Sequence, residues 1–383
     1  MPRLLVLLAF CNLLIGTGAF VLSGVLSPLA DSLQISVAAA GQAMTAYALS
    51  TAVLAPLALV LTGRWPRRRV LCVSLAVFAL GNAVCALAGS LSLLLAGRIL
   101  MGLGAVFTAV AAGIAVALVE PARRGRALSL VFVGISLSYV IGLPLGAWLG
   151  FRYGWQWPIA LVAGLSGLAS LLLALVLPRD IAAPGASFAG LGALLRQREV
   201  AWALALTLLY FIAIFCVFSY IGPVLQALVP MSTEAMSLTL MLFGLSGVIG
   251  TLVGGWANDR FGAQRTLTLQ LAVLGAMMLL VPLTRGHHGL LVLVFVVWGV
   301  AGFGMMTPQQ SRLAALSPAQ APVLLSLNSS MLYIGTALGA AIGGPASAWV
   351  GFDHLAWVGA PFALAGWLTL RYGAGAPAAW RAA

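Results

Sequence analysis

Seven acidic residues are present: Asp31, Glu120, Asp180, Glu199, Glu234, Asp259 and Asp353. Each falls beside a Gly/Pro or arginine-bearing break in an otherwise apolar chain, so no two carboxylates pair for general acid–base work. The three histidines, His287, His288 and His354, also fall in such breaks. The four cysteines, Cys11, Cys72, Cys85 and Cys216, each sit in an apolar run with no C-x-x-C spacing. That pattern fits small packing residues and gives no metal-ligand set and no disulfide framework. No metal, cofactor or catalytic residue is expected. One charged residue stands apart, because Arg98 lies inside an apolar run. A guanidinium stays protonated at any accessible pH and costs about 2.5–3.5 kcal/mol at the centre of a membrane helix on insertion scales. It must therefore face a cavity or a partner, or reach for the interface along its aliphatic stem.

The elements that carry these residues follow from composition. Hydrophobic types make up 62% of the 383 residues and charged types 7%. Soluble domains carry about 25% charged residues, so a bilayer is the expected solvent, and a soluble enzyme or nucleic-acid module is excluded. Apolar runs predict twelve membrane helices, at 4–26, 40–62, 70–89, 92–118, 127–150, 157–177, 201–222, 235–257, 266–283, 290–309, 322–345 and 356–371. The first is too long for a signal-peptide core and reads as a retained helix. The longest break, 178–200, holds Pro178, Arg179, Asp180, Pro184 and Gly185, and Leu191 to Val200 is a candidate surface helix. The fold class is therefore an all-α polytopic membrane protein. A six-helix bundle at 1–178, a cytoplasmic linker at 179–200, and a second bundle with a short tail at 201–383 make up the expected domains.

All 19 basic residues are arginine, and the net charge is +12. With the N-terminus placed in the cytoplasm, sixteen arginines fall on that side, Arg152 and Arg285 fall outside, and Arg98 lies in a span. This is the positive-inside pattern, which puts both termini in the cytoplasm and the chain in a bacterial inner membrane. Trp155, Trp157, Trp202 and Trp357 sit near predicted span ends, where interfacial rings belong. An internal repeat is also legible. "LTGRWPRRRVL" (61–71) and "WANDRFGAQRTL" (256–267) align Arg64 with Arg260, 196 positions apart, and Tyr139 and Tyr333 lie 194 apart. Two pseudo-symmetric halves are a known transporter architecture.

Five strings occur in a telling order: "AAAGQAMTAYALSTAVLAP" (38–56), "LAGRILMGLGAVF" (95–107), "RGRALSLVFVGISLSYVIGLPLGAWLG" (124–150), "SYIGPVLQ" (219–226) and "LNSSMLYIGTALGAAIGG" (327–344). With them the sequence resembles the major facilitator superfamily, in particular its twelve-helix drug:proton antiporter branch near the arabinose-type sugar and purine efflux permeases. The resemblance covers nearly the whole chain. It implies a secondary transporter, not an enzyme, that acts as a monomer on a small molecule by alternating access, with protons as the coupling ion and efflux as the direction.

Site residues follow from the same resemblance. The loop after the second span corresponds to the family's Gly-x-x-x-Asp-Arg-x-Gly-Arg-Arg motif and keeps Arg64, Arg67 and Arg68, but has Leu59, Gly63 and Pro66 where the family has Gly, Asp and Gly. The second copy is fuller, with Gly255, Asp259, Arg260 and Gly262. These residues are candidates for a cytoplasmic latch, or for topology-determining charge alone. Arg98, Gly102 and Gly104 match the family's Arg-x-x-x-Gly-x-Gly motif, whose arginine is associated with coupling. Gly142, Pro144, Gly146 and Gly150 in the fifth span, and Gly335, Gly339 and Gly343 in the eleventh, form stripes of small residues for close helix packing, and the resemblance adds a rocking role. If the family fold holds, a central cavity draws on Asn12, Thr17, Tyr47, Arg98, Tyr210, Phe211, Phe215, Trp298, Phe303, Asn328 and Tyr333.

Many relatives in that branch carry an acid in the first span, where this chain reads "GTGAFVLSG" (16–24). Asp31, just past that span, is the remaining candidate proton site, or an ordinary helix-end acid. A cavity without acids disfavours cationic cargo. It fits neutral amphiphiles, or weakly anionic ones drawn by Arg98, and leaves uniport open. The lipid bilayer and the small-molecule substrate are the expected partners, with no nucleic acid.

Overall fold

A computed structural model describes residues 2–120, 123–178, 196–317 and 320–372. Among them every regular element is helical. A bilayer offers no water to backbone N–H and C=O groups, so the chain must satisfy them within each segment, which a helix does. Eleven helices are long and apolar enough to cross a membrane, and a twelfth, Leu355–Leu370, is shorter. Their outer faces are strongly apolar: Leu175 is 81% exposed and Leu252 70%. Such surface is unfavourable in water and costs nothing against acyl chains.

Two compact units divide the chain: Met1–Ser187 with Ser232–Gly244, and Phe188–Met231 with Leu245–Ala383. In the first, α1 (Pro2–Gly24) runs into a short α2 (Leu26–Leu33). Helices α3 (Val37–Leu61) and α4 (Arg67–Ala86) follow. The fourth predicted span is broken into α5 (Leu91–Gly104) and α6 (Phe107–Ala117). The fifth is α7 (Arg124–Leu137), a π-turn at Ser138–Gly142 and α8 (Leu143–Tyr153); α9 (Gln156–Val176) closes the set. In the π-turn the amide of Leu143 donates to the carbonyl of Ser138, five residues back. Pro144 comes next and has no N–H to continue the regular ladder, so the helix rewinds at this point.

The second unit repeats the plan. Helix α10 (Arg198–Phe218) runs into a short α11 (Ile221–Leu228), and α12 (Thr233–Phe261) continues from residues grouped with the first unit. Then come α13 (Ala263–Leu280), α14 (His288–Gly304), α15 (Met306–Leu316), α16 (Ala321–Val350) and α17 (Leu355–Tyr372). Local geometry carries the duplication. The kink between α1 and α2 sits at Val25 (φ −122°, ψ 24°), and that between α10 and α11 at Tyr220 (φ −118°, ψ 25°). The two lie 195 positions apart, in the register of the sequence repeat. Ser36 accepts from the Ala39 amide and Ser232 from the Ala235 amide, capping α3 and the start of α12 alike. Helix α16 departs from its counterpart: it carries Pro345 with no π-turn among its described residues.

Two expectations change, and a third falls largely outside the described residues. Trp155 is 1% exposed, packed at the start of α9 and not at an interface, whereas Trp157 is 63% exposed. Helix α12 runs through Phe261, so Asp259 and Arg260 belong to its last turn. The candidate surface helix at Leu191–Val200 lies mostly outside the described residues, and its end, from Arg198, opens α10.

Candidate functional site

Arg98 is buried in the first unit at 1% exposure. Glycines bring its helix in close. A Cβ on Gly102 would overlap Ser50 of α3, and one on Gly104 would lie 2.6–2.7 Å from Phe78 and Ser74 of α4. So seated, the guanidinium turns inward, with no stem reaching for an interface. Its Nη1 donates to the Gly18 carbonyl at 2.8 Å and the Ala19 carbonyl at 3.3 Å on α1, and its centre lies 5.9 Å from the Tyr47 ring. Asn82, fully buried on α4, donates to the Phe78 carbonyl at 2.9 Å. Two atoms stay unsatisfied among the described residues: Arg98 Nε, a donor, and Asn82 Oδ1, an acceptor. The described acids of this unit, Asp31, Glu120 and Glu234, are all exposed. Among the described residues the buried cation is therefore balanced by carbonyl dipoles, an aromatic face and the Met101 sulfur at 4.0 Å. That arrangement attracts negative charge and repels positive charge.

Each unit also holds one buried polar junction of three helical segments. In the first, Asn12 on α1 donates to the Val131 carbonyl on α7 at 3.0 Å and accepts from Thr108 on α6 at 3.0 Å. In the second, Thr207 on α10 donates to Asn328 on α16 at 2.6 Å. Gln309 on α15 donates to Thr207 at 2.9 Å and to the Ala203 carbonyl at 2.6 Å. Asn12 and Thr207 are 195 positions apart, and Val131 and Asn328 are 197 apart, so the junctions occupy repeat-related places. The sequence marked Asn12 and Asn328 but missed Thr108, Thr207 and Gln309. A single hydroxyl in an apolar run carries no signal, although "TPQQSR" (307–312) is unusually polar for a span and could have marked Gln309. The second junction is incompletely satisfied: Asn328 Nδ2, Gln309 Oε1 and, one turn on, Arg312 Nη1 lack partners among the described residues.

The other predicted cavity residues fall into smaller groups. Thr17 of α1 fills the space that a Cβ on Gly142 would need. Along α10, Tyr210, Phe211 and Phe215 form an aromatic run, with ring centroids 4.9 and 5.9 Å apart, and the Tyr210 hydroxyl donates to the Gly302 carbonyl. Trp298 is 1% exposed and meets Phe295 edge-on at 5.0 Å. Phe303 lies against Gly247 of α12, and Tyr333 is part-exposed on α16. Within the first unit, Asn12 and Arg98 belong to separate clusters.

The glycine stripes are seated on neighbouring helices. Gly142, Gly146 and Gly150 face Thr17, Val21 and Val25 of the α1 segment, and the stripe extends upstream to Gly134, which faces the Ala9 carbonyl. Gly335, Gly339 and Gly343 face Leu208, Ile212 and Cys216 of α10 in the same way. Pro144 is buried at the start of α8.

At the loops, Arg67 is 4% exposed and donates to the Gly63 carbonyl at 3.4 Å, and Arg68 donates to the Ala174 carbonyl of α9. Arg64 and Arg260 are exposed. Asp259 is exposed too, accepts from Asn258 at 3.3 Å, and makes no ion pair among the described residues. Gly255 is in no tight contact, and Gly262 takes φ 79°, which lets the chain turn from α12 into α13. Asp31 is exposed in α2, beyond the end of α1.

Comparison with known proteins adds four likenesses. The Major Facilitator Superfamily model matches residues 8–322 and again 231–381. The chain is 31% identical over 359 residues to YbcL, an uncharacterized MFS-type transporter of Bacillus subtilis (strain 168), covering 92% of this chain and 91% of that one. It is 32% identical over 349 residues to YdhP, an inner membrane transport protein of Escherichia coli (strain K12), covering 90% and 89%. In fold it resembles a D-xylose-proton symporter, with a TM-score of 0.77 at 16% identity over 96% of both chains.

Proposed function

We propose a specific cargo and direction for this chain, which belongs to the Major Facilitator Superfamily and is a multi-pass membrane secondary transporter: it exports a small neutral or weakly anionic amphiphile by alternating access. The observation that carries this reading is the Arg98 cluster, a buried cation with no carboxylate partner among the described residues. Moving a second cation past an uncompensated guanidinium in low dielectric is strongly unfavourable, whereas a neutral or weakly acidic molecule meets no such barrier. Efflux is supported by the motif likeness to the twelve-helix drug:proton antiporter branch. The arginine asymmetry supports an inner-membrane location with both termini in the cytoplasm.

A second reading, facilitated diffusion without an ion, is favoured by one observation. None of the seven acids lies within a predicted span, so no carboxylate stands where a proton would be loaded and released mid-membrane. Proteoliposomes separate the two. An imposed pH gradient should drive accumulation of the cargo if protons are coupled and should leave it at equilibrium if they are not. In either case Asp31→Asn is expected to leave the initial rate within about twofold of wild type, as for an exposed helix-end substitution. A rate lost with Asp31→Asn and restored by Asp31→Glu would make Asp31 the proton site.

A further inference from the structure

Outside these clusters, the first unit carries an apolar groove on its surface, between α3, α4 and the break that separates α5 from α6. Its walls include Ala58, Trp65, Val73, Val77, Leu103 and Val106, and it encloses about 460 Å³, counting the part open to the surroundings. Its lining is almost wholly carbon. Trp65, one of its walls, is 41% exposed on the loop between α3 and α4. Arg69 lies over that ring, its guanidinium carbon 4.7 Å from the centroid, and Arg64 is exposed beside it in sequence. The first turn of α4 contains no acidic residue. Arg67 and Arg68 already bind carbonyl groups of the protein, which leaves Arg64 and Arg69 as the outward charges.

The dimensions match a lipid. From Trp65 to Val77 the chain descends roughly 15–18 Å at the helical rise per residue, which is about the depth of one leaflet's hydrocarbon. The ring at the top is of the kind that sits at headgroup level, and the two arginines beside it can meet a phosphate. The opposite occupant, a cationic or zwitterionic lipid, gains less from two exposed positive charges that make no ion pair among the described residues.

We infer that this groove is a binding site for one anionic phospholipid, its phosphate held by Arg64 and Arg69 and one acyl chain lying along Val73 and Val77 under Trp65. The site fixes one lipid against the joint of α5 and α6, and α5 is the helix that carries Arg98.

Native mass spectrometry of the purified protein, after titration with phosphatidylglycerol or with phosphatidylcholine of the same chains, tests the inference. Wild type should retain one phosphatidylglycerol in preference to phosphatidylcholine, and the preference should fall as salt is raised. The double variant R64Q/R69Q should lose about thirtyfold in affinity for phosphatidylglycerol, the worth of two basic groups at an anionic surface. Ala58→Trp, which fills the groove and keeps both charges, should lose the lipid as well. Equal retention of the two lipids by wild type, or undiminished phosphatidylglycerol binding by the double variant, would overturn the site. Loss with R64Q/R69Q but full retention with Ala58→Trp would reduce it to a charged patch and overturn the groove.

Discussion

Arg98→Met is expected to abolish transport, by about a hundredfold or more, while leaving the protein as thermally stable as wild type. Methionine fills much of the same volume and removes a buried charge that no carboxylate among the described residues compensates. Exchanging buried ionic groups for apolar ones is often neutral or stabilising. The Gly18 and Ala19 carbonyls are not orphaned by the change, since both belong to α1 and retain backbone partners there. What disappears is the tie between α5 and α1 and the positive centre to which we assign cargo selection. Hydrogen bonds to a charged group are worth about 1.5–3 kcal/mol each, so losing the tie in one transport state shifts the balance of states by one to two orders of magnitude. Arg98→Lys keeps the charge but not the planar fork, and it should retain stability while recovering only a minor part of the rate. Initial transport rates and thermal unfolding midpoints, measured on the same preparations, check both variants. A methionine variant that transports at the wild-type rate would remove Arg98 from the mechanism. One that unfolds would assign it a structural role.

Gly134→Val should prevent assembly of the first unit, whereas Gly164→Val should change nothing. A Cβ on Gly134 would overlap the Ala9 carbonyl oxygen and lie 2.8 and 2.9 Å from the Ala9 carbonyl carbon and the Leu13 amide nitrogen. Those are backbone atoms of α1 and have no rotamer by which to yield. Overpacking of a side-chain core already costs about 1–3 kcal/mol, and a clash with backbone is at the upper end or beyond. Nothing lies within 4 Å of the position that a Cβ on Gly164 would take, on a helix of the same unit. Detergent-extracted yield and size-exclusion profile compare the pair. Equal behaviour of the two variants would show that the stripe from Gly134 to Gly150 is not what holds α1 against α7 and α8.

These contrasts show how far the sequence could be read. The apolar runs locate the spans because a membrane helix must stay apolar over about 20 residues, a constraint that one sequence displays on its own. Arg98 was conspicuous for the same reason, and spacing of four placed Gly142, Gly146 and Gly150 on one face. The π-turn at Ser138–Gly142 was invisible, because hydropathy is unchanged by the winding of the backbone. Trp155 was misread as interfacial because position near a span end does not say whether a ring turns toward lipid or protein. The amides Asn12 and Asn328 could be flagged as needing partners, yet those partners are a carbonyl and hydroxyls on helices far away in sequence. Only the packing of three segments brings them together. The groove beneath Trp65 was equally hidden, since it arises where three helices and a helix break meet.

Counterflow in proteoliposomes probes the cargo with no driving ion. Vesicles preloaded with an unlabelled compound take up its labelled form transiently if the carrier exchanges it. A panel of neutral, weakly acidic and cationic amphiphiles of similar size should show exchange for neutral or weakly acidic members, with lipophilic cations at the level of protein-free vesicles. The same exchange should vanish with Arg98→Met. Robust counterflow of a lipophilic cation, undiminished by Arg98→Met, would contradict the assignment of an acid-free, arginine-centred path.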